Sequence, residues 1–156
     1  MFGLLKRKPR EIYAPIDGKV IPIEEVDDEV FAGKLAGDGV AILPIGDTFC
    51  APIEGVVTKI FPTNHAYIVK SNQDLEVMVH IGLESVALEG RGFERLAQEG
   101  AKLKAGDPVI KVDMAYLAKH AKDTVTPIVV TEESKMKALE KQISIVKQGD
   151  VIMRAL

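Results

Sequence analysis

The sequence predicts an all-β fold: an antiparallel β-sandwich or partly closed barrel with quasi-repeated hairpins and a few short helices. Thirteen glycines and eight prolines supply many turns, whereas only five Phe and three Tyr are present and Trp is absent. Two turn–strand units also recur, since APIDGKV at 14–20 returns as APIEGVV at 51–57, and KAGDPVI at 104–110 returns as KQGDVI at 147–152. In each unit a Pro or Gly-Asp turn precedes β-branched residues, which favours short antiparallel strands over long helices.

Each predicted element follows from such local patterns. Turn residues followed by β-branched runs predict strands, in chain order, at 18–23, 39–45, 55–61, 66–70, 75–81, 108–112, 126–131, 142–146 and 151–154. Short helices are predicted at 93–99, where Gly100 ends the segment, and at 114–122. Strands and helices do not alternate, which argues against a parallel sheet.

Charge divides the chain into a basic tail at 1–10 and a single domain at 11–156. The tail carries four basic side chains and no acidic one, whereas the remainder has 16 basic and 23 acidic residues, a net charge of −7. Binding to the phosphates of nucleic acid requires clustered Lys and Arg side chains. Because the domain carries a net negative charge, we expect no nucleic-acid partner. The sequence MFGLLKRKPR combines apolar and basic residues, which predicts at most a weak contact with an anionic membrane surface.

Composition also limits the cellular setting. Cys50 is the single cysteine, which excludes an internal disulfide framework. No apolar run approaches the roughly 18 residues required to cross a membrane. The tail also differs from a secretion signal, because its basic residues follow a short apolar segment and do not precede a long one. We therefore predict a cytoplasmic protein.

Two histidines flank a predicted hairpin. Strands at 66–70 and 75–81 enclose the turn cluster SNQD at 71–74. A turn centred on Asn72-Gln73 pairs residues whose numbers sum to 145, so that His65 faces His80 and Tyr67 faces Met78. Alternation then places both histidines, Tyr67 and Met78 on one face, away from the apolar core face. An exposed face of this composition is typical of a docking surface.

Adjacent imidazoles support two kinds of chemistry. They supply two nitrogen ligands for a metal, which needs a third and usually a fourth. Alternatively, a neutral imidazole is a nucleophile near pH 7, and its neighbour can orient it and donate a hydrogen bond to an attached anion. The residues alone leave both alternatives open.

The motifs resemble the glucose-type enzyme IIA family of the bacterial phosphoenolpyruvate-dependent sugar phosphotransferase system. The likeness extends from Ala14 to about Met153 and rests on the segments APIDG, VFA at 30–32, GDG at 37–39, TNHA at 63–66, VHIGL at 79–83 and GRGF at 90–93. This resemblance implies an antiparallel β-sandwich. The sequence departs from the family pattern at Tyr67, where Phe is common, and at Glu84, where Asp is more frequent.

The same resemblance implies the roles of individual residues. His80 carries the phosphoryl group, His65 assists it, and Thr63 hydrogen-bonds His65. HPr is the phosphoryl donor, and a cysteine of the IIB domain of a sugar permease is the acceptor. Neither nucleotide nor Mg²⁺ is required, although Zn²⁺ held by His65 and His80 at a protein–protein contact is a further expectation, as are regulatory target proteins. The implied docking ring, with two acidic neighbours, comprises Asp28, Val30, Phe31, Leu35, Phe61, Met78, Glu84 and Val86.

Two other functional classes remain as alternatives. Biotinyl or lipoyl carrier domains also begin strands with Ala-Pro-x-acid-Gly, but they are about half this length, and Lys135-Met136-Lys137 is a blurred match to their modified lysine. Zinc peptidases of the lysostaphin type need a His-x-His pair with a further His and an Asp. The three histidines here are too widely spaced to supply that set.

Overall fold

The computed structural model describes residues 8–156, and strands account for most of its regular structure. The strands are β1 Arg10–Tyr13, β2 Gly18–Pro22, β3 Asp38–Pro44, β4 Thr48–Cys50, β5 Gly55–Ile60, β6 Ala66–Lys70, β7 Glu76–His80, β8 Phe93–Arg95, β9 Lys102–Leu103, β10 Pro108–Val112, β11 Thr126–Val130, β12 Leu139–Lys141, β13 Ile145–Val146 and β14 Val151–Ala155. The α-helices are α1 Glu29–Ala32 and α2 Met114–His120, and 3₁₀ turns span Ile23–Glu25 and Ser85–Leu88.

Residues 8–156 form three antiparallel sheets. The largest has eight strands in the order β13-β2-β3-β11-β7-β6-β5-β9, and two three-stranded sheets have the orders β1-β14-β12 and β4-β10-β8. Buried side chains from all three sheets, among them Ile12, Ile42, Phe49 and Ile152, form one main core. This arrangement confirms the predicted antiparallel sandwich.

A smaller core covers the opposite face of the eight-stranded sheet. Val40 and Ile42 of β3 point into the main core, whereas Ala41 between them packs with Phe31 and Leu83 in the smaller one. Side chains alternate in the same way on β11, where Ile128 and Val130 lie in the main core and Val129 lies in the smaller core. The centre of the sheet is therefore buried on both faces, and α1 and the turn after β7 lie over its outer face.

Most predicted strands are present with boundaries shifted by one or two residues. The helix predicted at 93–99 is wrong, because Phe93–Arg95 forms β8 and pairs with β10. Phe93 also packs against the main core, so tertiary pairing overrides the local helical pattern. The strand predicted at 142–146 is shorter in the structure, where it is β13. The sequence patterns did not predict five further elements, namely β1, β4, β9, β12 and α1.

The predicted hairpin register is also wrong, by one residue. The observed loop between β6 and β7 has five residues, and Asp74 in it adopts a positive φ of 59°. Ala66 therefore pairs with His80, and Tyr67 pairs with Val79. A one-residue slip sends every side chain of the strand to the other face. Tyr67, predicted on the docking face, is consequently fully buried in the main core, and its hydroxyl donates to the carbonyl of Cys50 at 2.6 Å.

The N-terminal end of the domain is fastened to the hairpin loop. Residues 1–7 of the predicted tail, including Lys6 and Arg7, lie outside the described residues. Arg10 begins β1 and is buried, and its guanidinium donates to the carbonyls of Gln73 (2.8 Å) and Lys135 (2.7 Å). Among the described residues, no helix has the length and apolar character needed to span a membrane.

Candidate functional site

His80 is the last residue of β7 and points away from the main core. Met78 and His80 share the outer face of the strand, because Val77 and Val79 are in the main core. Gly82 follows with a φ of +77°, and a Cβ at that position would lie 3.0 Å from the carbonyl oxygen of Asp123. This turn directs the Gly82 carbonyl back at the ring, where it lies 2.8 Å from Nδ1 of His80. A carbonyl only accepts, so Nδ1 carries the proton and Nε2 keeps its lone pair.

His65 reaches His80 from the loop before β6. Its backbone carbonyl accepts a hydrogen bond from the N–H of Ile81 at 2.7 Å, which ties the start of β6 to the end of β7. The two imidazoles meet edge to face, with centroids 4.9 Å apart and planes at 80°. Thr63 Oγ1 is hydrogen-bonded to Nδ1 of His65. The structure thus brings together the three side chains to which the resemblance assigns the chemistry.

Both imidazoles lie where the charged form is disfavoured. His65 is only 4% exposed, and this desolvation, together with the neighbouring His80, lowers its pKa to about 4. Desolvation also lowers the pKa of His80, opposed by the hydrogen bond to Gly82 and by the charge of Asp28. Both rings are therefore neutral near pH 7.

Apolar side chains surround His80 in a shallow concavity of about 370 Å³. Its lining contains seven of the eight predicted docking residues, namely Asp28, Val30, Phe31, Phe61, Met78, Glu84 and Val86. Val30 and Val86 are 47% and 56% exposed. Leu35 is absent from this lining, although it is more exposed still. The sequence reading missed Ala36 and Ser85, which carry no chemical signature in the sequence.

Phe31 is a wall of the site rather than an exposed docking residue. It is buried, and its ring lies 4.8 Å from that of His80 at an interplanar angle of 57°. Helix α1 holds it there, and the Asp28 carboxylate caps this helix by accepting from the N–H of Val30 at 2.9 Å. On the other side the rings of Phe61 and His65 form a T-shaped pair, with centroids 5.4 Å apart and planes at 73°. The imidazole pair thus lies between two phenyl rings.

Other reactive side chains lie outside the site. His120 is exposed on α2, and its ring centroid lies 4.3 Å from that of Tyr116 with the planes tilted by 41°. Cys50 is buried, and desolvation raises the pKa of its thiol. A larger groove of about 750 Å³, bordered by Arg10, Lys70 and Lys102, contains none of the predicted site residues.

The imidazole pair supplies only part of a metal site. Within residues 8–156, no group of three or more His, Cys, Asp or Glu is arranged to hold a metal ion. His65 and His80 offer two nitrogens, and a stable Zn²⁺ shell needs further donors. The residues fit a zinc ion only if another molecule completes the shell.

Comparison with known proteins gives concordant results. Residues 10–136 match the family model described as phosphoenolpyruvate-dependent sugar phosphotransferase system, EIIA 1. The glucose-specific EIIA component of Haemophilus influenzae is 45% identical over 158 residues, covering 100% of this chain and 95% of that protein. A glucose-specific EIICBA component of Staphylococcus carnosus is 45% identical over 91% of this chain, which spans 21% of that longer protein. The glucose permease IIA of Mycoplasma capricolum superposes with a TM-score of 0.90 at 37% identity, covering 95% of this chain and 96% of that one.

Proposed function

The chain belongs to the EIIA 1 family of the phosphoenolpyruvate-dependent sugar phosphotransferase system, and from that premise we propose that it relays a phosphoryl group from HPr to the IIB domain of a sugar permease. It is thus a phosphotransferase component in sugar uptake. The observation that carries the proposal is the free Nε2 of His80, which stands beside a second imidazole in an open apolar concavity.

His80 is the nucleophile in this proposal. Its Nε2 lone pair attacks phosphorus in line, the N–P bond of the phosphohistidine in HPr breaks, and the leaving imidazole keeps the electron pair. The Nδ1 proton stays in place, so the phosphorylated ring is cationic. The Gly82 carbonyl accepts from Nδ1, and the negative charge of Asp28 also favours the cationic ring. A IIB thiolate then attacks phosphorus, and the Nε2–P bond breaks.

His65 steadies the transferred group. A neutral imidazole has one N–H, and we assign it to Nε2, so that Nδ1 accepts the hydrogen bond from the Thr63 hydroxyl in this proposal. The Nε2–H of His65 can then donate to a phosphoryl oxygen on His80. Such transfer needs chiefly positioning and charge stabilisation, with no bound nucleotide or Mg²⁺.

Partners dock on the apolar concavity. Its exposed valines, Val30 and Val86, supply area to bury, while the rim carboxylates of Asp28 and Glu84 can meet basic side chains. HPr and IIB would use the same surface in turn, because each must reach Nε2 of His80. Relatives named EIICBA components support a permease as the second partner, because their names place EIIC, EIIB and EIIA in one chain.

Three further expectations belong to this proposal. We expect a cytoplasmic location, because the phosphoryl group that reaches the protein through HPr comes from phosphoenolpyruvate, a cytoplasmic metabolite. The segment before Arg10, with its basic residues Lys6, Arg7 and Lys8, would touch an anionic membrane surface weakly, which would bring the domain near the permease. No cofactor is required for transfer, and Zn²⁺ would bind tightly only at a contact with another protein, such as a regulatory target that supplies a carboxylate.

The proposal is tested by incubating the protein with labelled phosphoenolpyruvate, enzyme I and HPr. We expect an acid-labile, base-stable phosphohistidine on His80, which His80→Gln abolishes and the matched control His120→Gln leaves intact. A label mapped to His120, Ser71 or Thr63 would overturn the assignment. Addition of a glucose-type IIB domain should then discharge the label, and failure to discharge it would contradict the relay.

A further inference from the structure

One tight turn carries both Thr63 and His65. The N–H of Asn64 donates to the carbonyl of Phe61 at 2.7 Å, and the N–H of Phe61 donates to the carbonyl of Ala66 at 2.9 Å. Asn64 stands between Thr63 and His65 with a φ of +60°, a left-handed conformation that Asn tolerates better than most residues. Any rotation at Asn64 therefore moves the hydroxyl and the imidazole relative to His80.

The side chain of Arg95 holds this turn from a different sheet. Arg95 ends β8, which pairs with β10. Its Nε donates to Oδ1 of Asn64 at 2.6 Å, and Nη2 makes longer contacts to the carbonyls of Ile60 (3.5 Å) and Phe61 (3.4 Å). A single planar guanidinium thus contacts two acceptors of the turn and the last carbonyl of β5, a geometry that lysine cannot reproduce.

We propose that Arg95 is a positioning residue for phosphoryl transfer, acting through Asn64 to keep the His65 imidazole in register with Nε2 of His80. This inference rests on the proposed function, in which His80 accepts the phosphoryl group. No contact within the described part of the chain joins Arg95 to either imidazole, so its effect passes through the turn. The rate of a transfer that depends on alignment is sensitive to displacements of about 1 Å, which can cost on the order of 100-fold.

A merely structural role for Arg95 would have a different signature. Arg95 and its contact with Asn64 are solvent-exposed, and such contacts contribute little to the free energy of unfolding. Strand β8 is independently held by three paired positions on β10 and by Phe93 in the main core. Loss of the Arg95 side chain should therefore leave the fold intact while the turn loosens.

The test compares Arg95→Lys, Arg95→Ala and Asn64→Gly, the last of which keeps left-handed freedom but removes the acceptor. Arg91→Ala is the matched control, because Arg91 is exposed, lies four residues away and makes no side-chain hydrogen bond or ion pair within residues 8–156. We expect single-turnover transfer from phospho-HPr to slow about tenfold or more in the first three variants, with unchanged apparent affinity for HPr, and the control to transfer at the wild-type rate.

Two readouts separate positioning from folding. Nitrogen chemical shifts of the imidazoles should show that His65 loses its single tautomer in the Arg95 variants, while the His80 tautomer set by Gly82 persists. The double variant Arg95→Ala with Asn64→Gly should be no slower than the worse single variant, because both act on one link.

Wild-type transfer rates and unchanged His65 signals in the Arg95 variants would overturn the inference, as would losses that add in the double variant. The imidazole spectra are independent of transfer. If the wild-type protein accepts no phosphoryl group, the proposed function fails, whereas the spectra still decide whether Arg95 orients His65.

Discussion

The rings of His65 and His80 meet with centroids 4.9 Å apart, yet the residue paired with His80 across the hairpin is Ala66. Their contact arises because His65 lies just before β6, in a turn that brings its ring over the end of β7. The hydrogen bond from the N–H of Ile81 to the His65 carbonyl fixes this approach. The site is therefore built by a loop against a strand end, and its geometry depends on whatever holds that loop.

The first prediction concerns stability and pH. The pKa of His65 is about 4 in the folded protein but near 6.5 when unfolded, so between these values the unfolded chain binds more protons. The free energy of unfolding should fall as pH drops through this window, by about 3 kcal/mol from pH 7 to pH 4 for this residue. Urea unfolding of wild type and His65→Gln measures the difference between them.

Carboxylates also change the free energy of unfolding over this pH range, but they are common to wild type and His65→Gln and therefore cancel in the comparison. His80 is likewise common to both proteins, and its lowered pKa also reduces the free energy of unfolding as the pH falls. Identical pH slopes for wild type and His65→Gln would contradict the burial of a neutral imidazole at position 65.

The second prediction concerns docking. Val86→Lys places a charge in the exposed apolar lining and should weaken HPr binding at least tenfold with little change in melting temperature. Ile145→Lys is the matched control, since Ile145 is 80% exposed on β13, at the edge of the sheet and four strands from β7. Titration calorimetry or surface plasmon resonance gives the affinity of each variant for HPr. If both substitutions weakened HPr binding equally, the concavity would not be the docking surface.

Met78→Lys and Phe61→Glu should weaken the same interaction. Met78 also packs against the smaller core, so its replacement should lower the melting temperature further than Val86→Lys does. Phe61 has a second role as a wall of His65, and its variant should therefore slow transfer as well as docking.

The third prediction concerns zinc. With two imidazole nitrogens and no third protein ligand among the described residues, the free protein should bind Zn²⁺ weakly. His65→Gln should abolish that binding, and so should phosphorylation of His80, which occupies one ligand nitrogen. Calorimetry on these forms, with His120→Gln as the unaffected control, gives the result. Tight binding that survives either change would mean that the two histidines are not a shared site.

The fourth prediction concerns Tyr67, whose buried hydroxyl donates to the Cys50 carbonyl at 2.6 Å. Tyr67→Phe leaves this carbonyl without its donor in the main core and should cost about 1–3 kcal/mol of unfolding free energy. Phosphoryl transfer at 25 °C should be unchanged, because Tyr67 lies on the face opposite to His80. If the variant were as stable as wild type but impaired in transfer, Tyr67 would lie on the docking face, as the sequence predicted, and not in the main core.

Local patterns in the sequence were sufficient for the strand content of the domain. Turn signals followed by β-branched residues located β2, β3, β5, β6, β7, β10, β11 and β14, because each pattern depends on neighbours in the chain. The motifs around His65 and His80 also identified the family. Elements such as β8 and β9 escaped this reading, since short strands owe their conformation to the partner strand.

Tertiary structure decided how the chemical groups meet. The hairpin loop of 71–75 could not be counted from sequence, because Asp74 enters the left-handed region and lengthens the loop, and this sets the register that buries Tyr67. The Gly82 carbonyl that selects the His80 tautomer and the Arg95 side chain that holds the His65 turn are likewise contacts between groups whose residue types give no signal of them. Residue identities and short-range propensities specify strands and candidate nucleophiles. Distances between imidazoles depend on loop conformation and sheet pairing, which only the folded chain determines.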